Sequence, residues 1–193
     1  MINHIHGGDL RCTNYKNIPK FSFTGRYEGY IVHVYDGDTL QVAIPFRNGD
    51  AEHYERFPVR LLGIDCPEIK YKGLVGSKLP KKCKDKLLIR KLLARKKGYM
   101  ARDHLIDFLN EYGVWEEFLP TIYGIRCSVR CKTSDLYGRM LSTIDVPDYD
   151  GIMVNLSQYM LDSNLAIPCD GKRVNHCELV PQEEIKAYKR DNK

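Results

Sequence analysis

Two β-rich runs separated by an Asp-Gly pair constrain the fold of this chain more than any other feature. Residues 30–35 and 39–44 are rich in β-branched and aromatic side chains, and Asp36-Gly37 stands between them. This pair favours a tight hairpin turn because such turns need positive φ angles. The sequence therefore predicts a β-hairpin, followed by a third strand over residues 58–64 that ends at the sequence DCPE.

The later part of the chain mixes helical and β-rich patterns. Helix-like composition over 85–97 is followed from Gly98 by apolar residues at helical spacing. Two further strands are expected over 123–131 and 140–146, a helix over 154–165, and a last helix after Pro181. The order β-β-β-α-β-β-α predicts an α+β fold dominated by β-structure: a five-stranded Greek-key barrel of the OB type, with a helix after strand 3 and one or two C-terminal helices.

The length of 193 residues suits a single domain with tails. We expect an N-terminal extension over 1–28, which shows no periodicity, and a barrel domain over 29–169. A basic insertion at about 70–97 lies within that domain. Residues 170–193 form a C-terminal tail that is helical in part.

The positive charge of the chain is concentrated in this insertion. Residues 70–97 hold twelve Lys and Arg against one Asp, so they carry +11 and leave −6 for the rest of a chain with net charge +5. A dense basic segment on a mildly acidic body indicates a polyanionic partner. The predicted contacts include Lys81, Lys82, Lys84 and Lys86. A solvated basic loop and a targeting signal are the alternatives.

The cysteines and the apolar pattern bear on location. The seven cysteines have irregular spacing and no CxxC, so they give a zinc site little support. Cys169, His176 and Cys177 also give it little support. Reduced thiols in a reducing compartment explain them better. The sequence has no stretch of 18 uncharged apolar residues and no apolar core in its first 20, so we expect an intracellular protein of cytoplasm or nucleus, away from membranes.

Charged residues stand at the ends of the predicted strands in three short motifs. These are DGDT at 36–39, RLLGIDCPE at 60–68 and DLYGR at 135–139, followed by Val154-Asn155 before a helix. Carboxylates such as Asp38 and Asp65 suit a hard cation, and arginines present a planar fork that fits phosphate oxygens. Arg60 lies in an apolar strand, where a charge is costly without a partner. Cleavage of a phosphodiester needs such cations, together with a positioned water and help with its deprotonation.

In this order the motifs resemble the staphylococcal nuclease family, calcium-dependent phosphodiesterases built on an OB-fold. The resemblance spans about residues 29–167 and implies a metal-dependent endonuclease that cleaves DNA and RNA and leaves 3′-phosphate ends. It implies a Ca²⁺ site, in which Mg²⁺ or Mn²⁺ can substitute, and catalytic and substrate-binding side chains. By this resemblance, the expected metal ligands are Asp38, Asp65 and the backbone carbonyl of Cys66. The expected catalytic residues are Glu68, as general base or orienter of the water, and Arg60 and Arg139, which would contact the phosphate. Tyr137 is expected either to contact a phosphate or nucleoside or to be a core residue.

Two departures from the family pattern bear on this interpretation. Cys66 stands where the family has threonine, and Leu136 where it often has lysine, which removes one phosphate contact. A non-catalytic OB-fold module that binds nucleic acid is the alternative function. The chain keeps all five expected acids and arginines, which favours the enzyme. No feature of the sequence indicates an obligate protein partner.

Overall fold

The computed structural model describes residues 23–48, 51–72, 74, 85–171 and 174–191. Nine strands and three helices lie in these ranges. The strands are β1 (Gly25–Asp36), β2 (Thr39–Asn48), β3 (Ala51–Leu61), β4 (Ile64–Asp65), β5 (Trp115–Leu119), β6 (Ile122–Ser134), β7 (Met140–Pro147), β8 (Met153–Asn155) and β9 (Ile167–Pro168). The helices are α1 (Lys86–Tyr112), α2 (Leu156–Asp162) and α3 (Gln182–Asp191).

Five of the strands close into a ring. The main sheet has the order β5-β6-β1-β2-β3-β7-β8, and β6 also pairs with β7, which joins the two sides. All neighbours are antiparallel except β3 and β7, which run parallel over a short stretch. The remaining pair, β4 with β9, forms a separate two-stranded sheet. Strand residues make up 42% of the described chain and helix residues 29%, so the predicted mixed fold with more strand than helix is confirmed.

Alternating side chains of the ring and one face of α1 form the main core. Leu40, Val42 and Ile44 of β2 are almost fully buried, as period-two alternation requires. From α1, Ala101 and Leu105 pack into the same cluster. A smaller cluster joins the first half of α1 to α3 and the segment before it; its buried members are Ile89, Ala94, Cys177, Val180 and Ile185. No helix in the described ranges is long and apolar enough to cross a membrane.

The predicted hairpin is confirmed, but the reason given for its glycine is wrong. Asp36 pairs with Thr39 across a turn formed by Gly37 and Asp38, and neither turn residue has a positive φ. Gly37 is needed for space instead. A Cβ there would lie 2.9 Å from the sulfur of Cys66 and 2.9 Å from the Cβ of Ala101. This glycine therefore lets the turn pack closely on α1 and on the residue after β4.

The predicted third strand is wrong at both ends. It begins at Ala51 rather than at 58 and ends at Leu61 rather than at 64. A turn at Leu62-Gly63 breaks the run, and Gly63 has a φ of 85°, a conformation that glycine adopts at little cost. Ile64 and Asp65 then pair with β9. This break moves Asp65 out of the strand that carries Arg60.

The predicted helices occur with different bounds. The stretches over 85–97 and from Gly98 form one helix, α1, capped by the Asp85 carboxylate. The helix expected over 154–165 begins only at Leu156, because Met153–Asn155 form β8 and Asn155 caps α2. The last helix, α3, follows Pro181 as expected. β1 begins within the predicted extension, of which residues 1–22 lie outside the described residues.

Candidate active site

Asp38, Arg60 and Asp65 meet at one end of the strand ring. Arg60 lies opposite Thr39 in the β2–β3 register, and the Leu61 amide donates to the carbonyl of Asp38 at 2.8 Å. These pairings bring the β1–β2 turn beside the end of β3. The guanidinium of Arg60 forms one ion pair with Oδ1 of Asp38 and another with Oδ1 of Asp65. The structure thus brings together three of the predicted site residues, with the arginine between the two carboxylates.

Burial determines the electrostatics of this cluster. Asp38 is 1% exposed and Asp65 is 4% exposed, so water screens neither charge well. Burial raises the pKa of the Asp38 carboxyl above its ordinary value, and Arg60 opposes this shift only in part. Burial would also raise the pKa of Asp65, but a hydrogen bond from His176 and the charge of Arg60 lower it below its ordinary value. Two buried acids therefore share one guanidinium, and burial favours the protonated form of Asp38 over the charged one.

A tight turn before β7 positions Arg139. The Asp135 carboxylate accepts from the amides of Tyr137 and Arg139 at 2.8 and 2.9 Å, and from Nε of Arg139 at 2.7 Å. Gly138 has a φ of 79°, and no atom lies within 4 Å of a Cβ built on it. Open space therefore surrounds this glycine among the described residues. The left-handed backbone of the turn requires it.

Arg139 reaches the carboxylate cluster through Thr39. Nη1 of Arg139 lies 3.4 Å from the Thr39 hydroxyl oxygen, and that hydroxyl donates to Asp38 at 3.1 Å. Tyr137 is 83% exposed, so the core alternative for it is wrong. Its ring lies 5.6 Å from the Arg139 guanidinium carbon, within the range of a cation–π contact. An exposed aromatic ring and an arginine thus stand side by side at the edge of the site.

Glu68 lies three residues after Asp65, and both side chains line one cavity. This cavity has a volume of about 480 Å³ and lies between the loop after β4, the first turns of α1 and the segment at 174–178. Glu68 is partly buried, and its backbone packs on Gly98 of α1. A Cβ at Gly98 would lie 2.6 Å from the carbonyl oxygen of Pro67 and 2.7 Å from that of Glu68. The absence of a side chain at position 98 therefore sets the position of the Glu68 loop.

Cys66 contacts the cluster through its backbone. Its amide donates to Oδ2 of Asp38 at 2.6 Å, while its side chain is buried beside Gly37. Burial raises the pKa of the thiol far above its ordinary value, so the thiol stays protonated. The sulfur of Cys66 is thus a packing group. The contact through the amide is additional to the carbonyl role that the family resemblance implies.

The two carboxylates fit a hard divalent cation in their chemistry. Carboxylate oxygens are the ligands that Ca²⁺ and Mg²⁺ prefer, and a bound dication would favour the ionised form of both acids. Within the described residues, no group of three or more His, Cys, Asp and Glu side chains is arranged to hold a metal ion. The two aspartates would need further ligands from backbone carbonyls, water or a substrate phosphate. Arg60 now lies between them and would have to withdraw from one.

The sequence interpretation missed His176 as a neighbour of Asp65. Nε2 of His176 lies 3.0 Å from Oδ2 of Asp65, although the two residues are 111 positions apart. No spacing or motif signalled this contact. His176 is 8% exposed, and the Val174 amide donates to the same oxygen at 3.2 Å.

The predicted lysine contacts can be placed only in part. Lys86 is exposed at the first position of α1, and the other three, Lys81, Lys82 and Lys84, lie outside the described residues. Two other basic side chains of the insertion make local contacts. Lys97 forms an ion pair with Glu184 at 2.8 Å, and Lys91 donates to the carbonyl of Lys72 at 2.8 Å.

Comparison with known proteins adds no assignment. No known family model matches the sequence, and no curated protein matches it. The functional interpretation therefore rests on the motifs and on the geometry of the site.

Proposed function

We propose that this chain is a metal-dependent nuclease that hydrolyses phosphodiester bonds of DNA and RNA. The observation that carries this proposal is the convergence of Asp38, Arg60 and Asp65 in one buried cluster, with Arg139 linked to it through Thr39. Two acids and two arginines at a strand end suit a site that receives an anionic phosphorus centre. The order of the three motifs along the chain supports the same function.

Asp38 and Asp65 are the residues that would hold the cation, with the Cys66 carbonyl as the third ligand by resemblance to the family. When bound, a divalent cation neutralises charge on a phosphate oxygen. Ca²⁺ is our first choice for it, and Mg²⁺ and Mn²⁺ suit the same oxygen donors. The placement of both carboxyl groups around Arg60 at one end of the strand ring supports this part of the proposal.

Glu68 and the two arginines carry the remaining roles. Glu68 lines the cavity beside Asp65 and orients or deprotonates the attacking water. Arg139 and Arg60 offer planar donors to the phosphate, and these donors stabilise the charge that develops in the transition state. Tyr137 is exposed beside Arg139, where it can contact a phosphate or stack on a nucleoside. By the family resemblance, the products carry 3′-phosphates.

The closed ring of β1, β2, β3, β7 and β6 supports assignment to the OB type. Its strand order, with one parallel contact between β3 and β7, closes a five-stranded sheet around the core. The long helix α1 follows the third strand of the ring, as proposed for this fold. The assignment accounts for the position of the site at the ends of β1, β3 and β7.

A non-catalytic module that binds nucleic acid is the second candidate function. One observation favours it: Arg60 occupies the space between Asp38 and Asp65 and pairs with both. If that pairing is permanent, the carboxylates serve only to hold the arginine. The exposed Tyr137 and the basic insertion would then provide the binding surface.

Incubation of the purified chain with plasmid DNA and with single-stranded RNA distinguishes the two functions. We expect degradation in calcium and none in excess chelator, with 3′-phosphate ends on the products. Electrophoretic mobility shifts in the same buffers report binding separately. Binding with no cleavage in calcium, magnesium or manganese would reject the nuclease and support the module.

A further inference from the structure

The segment after β9 returns to the candidate site and bonds to one of its acids. His176 and the amide of Val174 both lie within hydrogen-bond distance of Oδ2 of Asp65, at 3.0 and 3.2 Å. A carboxylate oxygen only accepts, so Nε2 of His176 carries the hydrogen and donates it. The other oxygen of Asp65 is taken by Arg60. Both oxygens of this carboxylate therefore have fixed partners.

Backbone pairing and apolar packing hold this segment in place. Upstream, β9 pairs with β4, and the amide of Cys169 donates to the carbonyl of Gly63 at 2.9 Å. Downstream, Cys177 and Val180 are buried in the smaller core cluster with residues of α1 and α3. His176 is thus anchored from both sides by contacts that do not involve the Asp65 carboxylate. Its ring position is set by the fold, and the carboxylate is oriented against it.

We propose that His176 is a positioning residue, which fixes the Asp65 carboxylate in the orientation that binds the divalent cation. The C-terminal segment is then a part of the site and not only a tail. This inference rests on the proposed function, because it assigns Asp65 as a metal ligand. Partners that hold a ligating carboxylate or histidine from behind typically change metal affinity 10- to 100-fold when they are removed.

The alternative is a purely structural hydrogen bond that helps to dock the segment. The two roles differ in what they change. A docking bond affects the stability of the fold and leaves cation affinity as it was, whereas a positioning bond affects both. A neighbour of His176 in the same segment provides the comparison. Cys177 is 5% exposed and packs in the smaller cluster.

The test is isothermal titration of the full chain with calcium alone and with manganese alone, alongside thermal unfolding. His176→Met keeps side-chain volume without a donor, His176→Gln restores a donor, and Cys177→Ala loosens the same segment. We expect His176→Met to weaken cation binding about 10- to 100-fold. His176→Gln should recover much of the affinity, and Cys177→Ala should lower the melting temperature with unchanged affinity.

Two results would overturn the inference, and they differ from each other. If His176→Met binds the cation as the wild type does and only melts lower, the contact is structural and the nuclease proposal is unaffected. If the wild type itself binds neither cation, the metal part of the proposed function fails, and the positioning role fails with it. Should His176→Met not fold, His176→Leu, a second variant without a donor, takes its place, and cation affinity equal to that of the wild type then rejects the role.

Discussion

Replacement of Gly98 by alanine sets helix propensity against the packing that positions Glu68. In the interior of a helix, alanine is normally more favourable than glycine by about 1 kcal/mol. At position 98, however, the added methyl group would lie 2.6 Å from the carbonyl oxygen of Pro67 and 2.8 Å from the carbonyl carbon of Glu68. These are backbone atoms, so no side-chain rotation relieves the contact. The loop must move away from α1.

The steric cost of the added methyl group should exceed the gain in helix propensity. Overpacking of a well-packed region typically costs about 1–3 kcal/mol, which exceeds the gain of about 1 kcal/mol from alanine. We therefore expect Gly98→Ala to lower the free energy of unfolding by about 1 kcal/mol in urea titrations. The displaced loop carries Glu68, and a shift of about 1 Å in a catalytic group can lower turnover about 100-fold.

An exposed position in the same helix provides the control. Met100 is 62% exposed, so the difference in stability between Met100→Ala and Met100→Gly measures propensity alone. The stability change of Gly98→Ala should have the opposite sign: alanine should stabilise position 100 relative to glycine and destabilise position 98. If Gly98→Ala is stabilised as much as the reference predicts and cleaves nucleic acid at the wild-type rate, the reasoning about the Glu68 loop is refuted.

Three further predictions concern the arginine, its turn and the basic insertion. Arg139→Ala should lower turnover about 100-fold or more with the fold intact. Arg126 is an exposed arginine of β6, and Arg126→Ala should leave turnover unchanged. Equal turnover in Arg139→Ala and the wild type would show that Arg139 has no role in the site. Hydrogen bonds from Arg139 lower the pKa of Asp135, so Asp135→Asn should destabilise the protein at pH 7. The loss of stability should disappear as the pH falls through the pKa of Asp135 in the folded protein. A loss that does not change with pH, measured by thermal unfolding, would contradict this. Replacing four lysines with glutamine should reduce the salt dependence of DNA affinity by a slope of about 3 to 4, and an unchanged slope would exclude the insertion as a contact surface. The four are Lys81, Lys82, Lys84 and Lys86.

Features that depend on neighbouring residues could be predicted from the sequence. The β1–β2 hairpin followed from the Asp-Gly pair between two β-rich runs, and α3 followed from Pro181 and the acids after it. The burial of Arg60 in an apolar strand correctly indicated that it has a charged partner. The partners in the structure are Asp38 and Asp65, and a phosphate stays a prediction.

Features that depend on tertiary contacts could not be predicted from the sequence. The start of β3 was missed because its first residues are charged and aromatic on both faces, without the apolar alternation of a half-buried strand. Gly98 interrupts a helical pattern in the sequence. The reason for a glycine inside α1 is its close contact with the backbone of Pro67 and Glu68, which only the structure shows. The contact of His176 with Asp65 depends on how the end of the chain folds back, which no local pattern encodes.

The turnover of Glu68→Gln on a single-stranded oligonucleotide, at saturating substrate in calcium, tests the central claim most directly. Glu55→Gln is the matched control, because Glu55 is an exposed glutamate of β3. We predict that Glu68→Gln lowers turnover about 100- to 10,000-fold at unchanged melting temperature, as expected for loss of a general base. Glu55→Gln should cleave at the wild-type rate. Equal turnover in wild type and Glu68→Gln would contradict the account of this site.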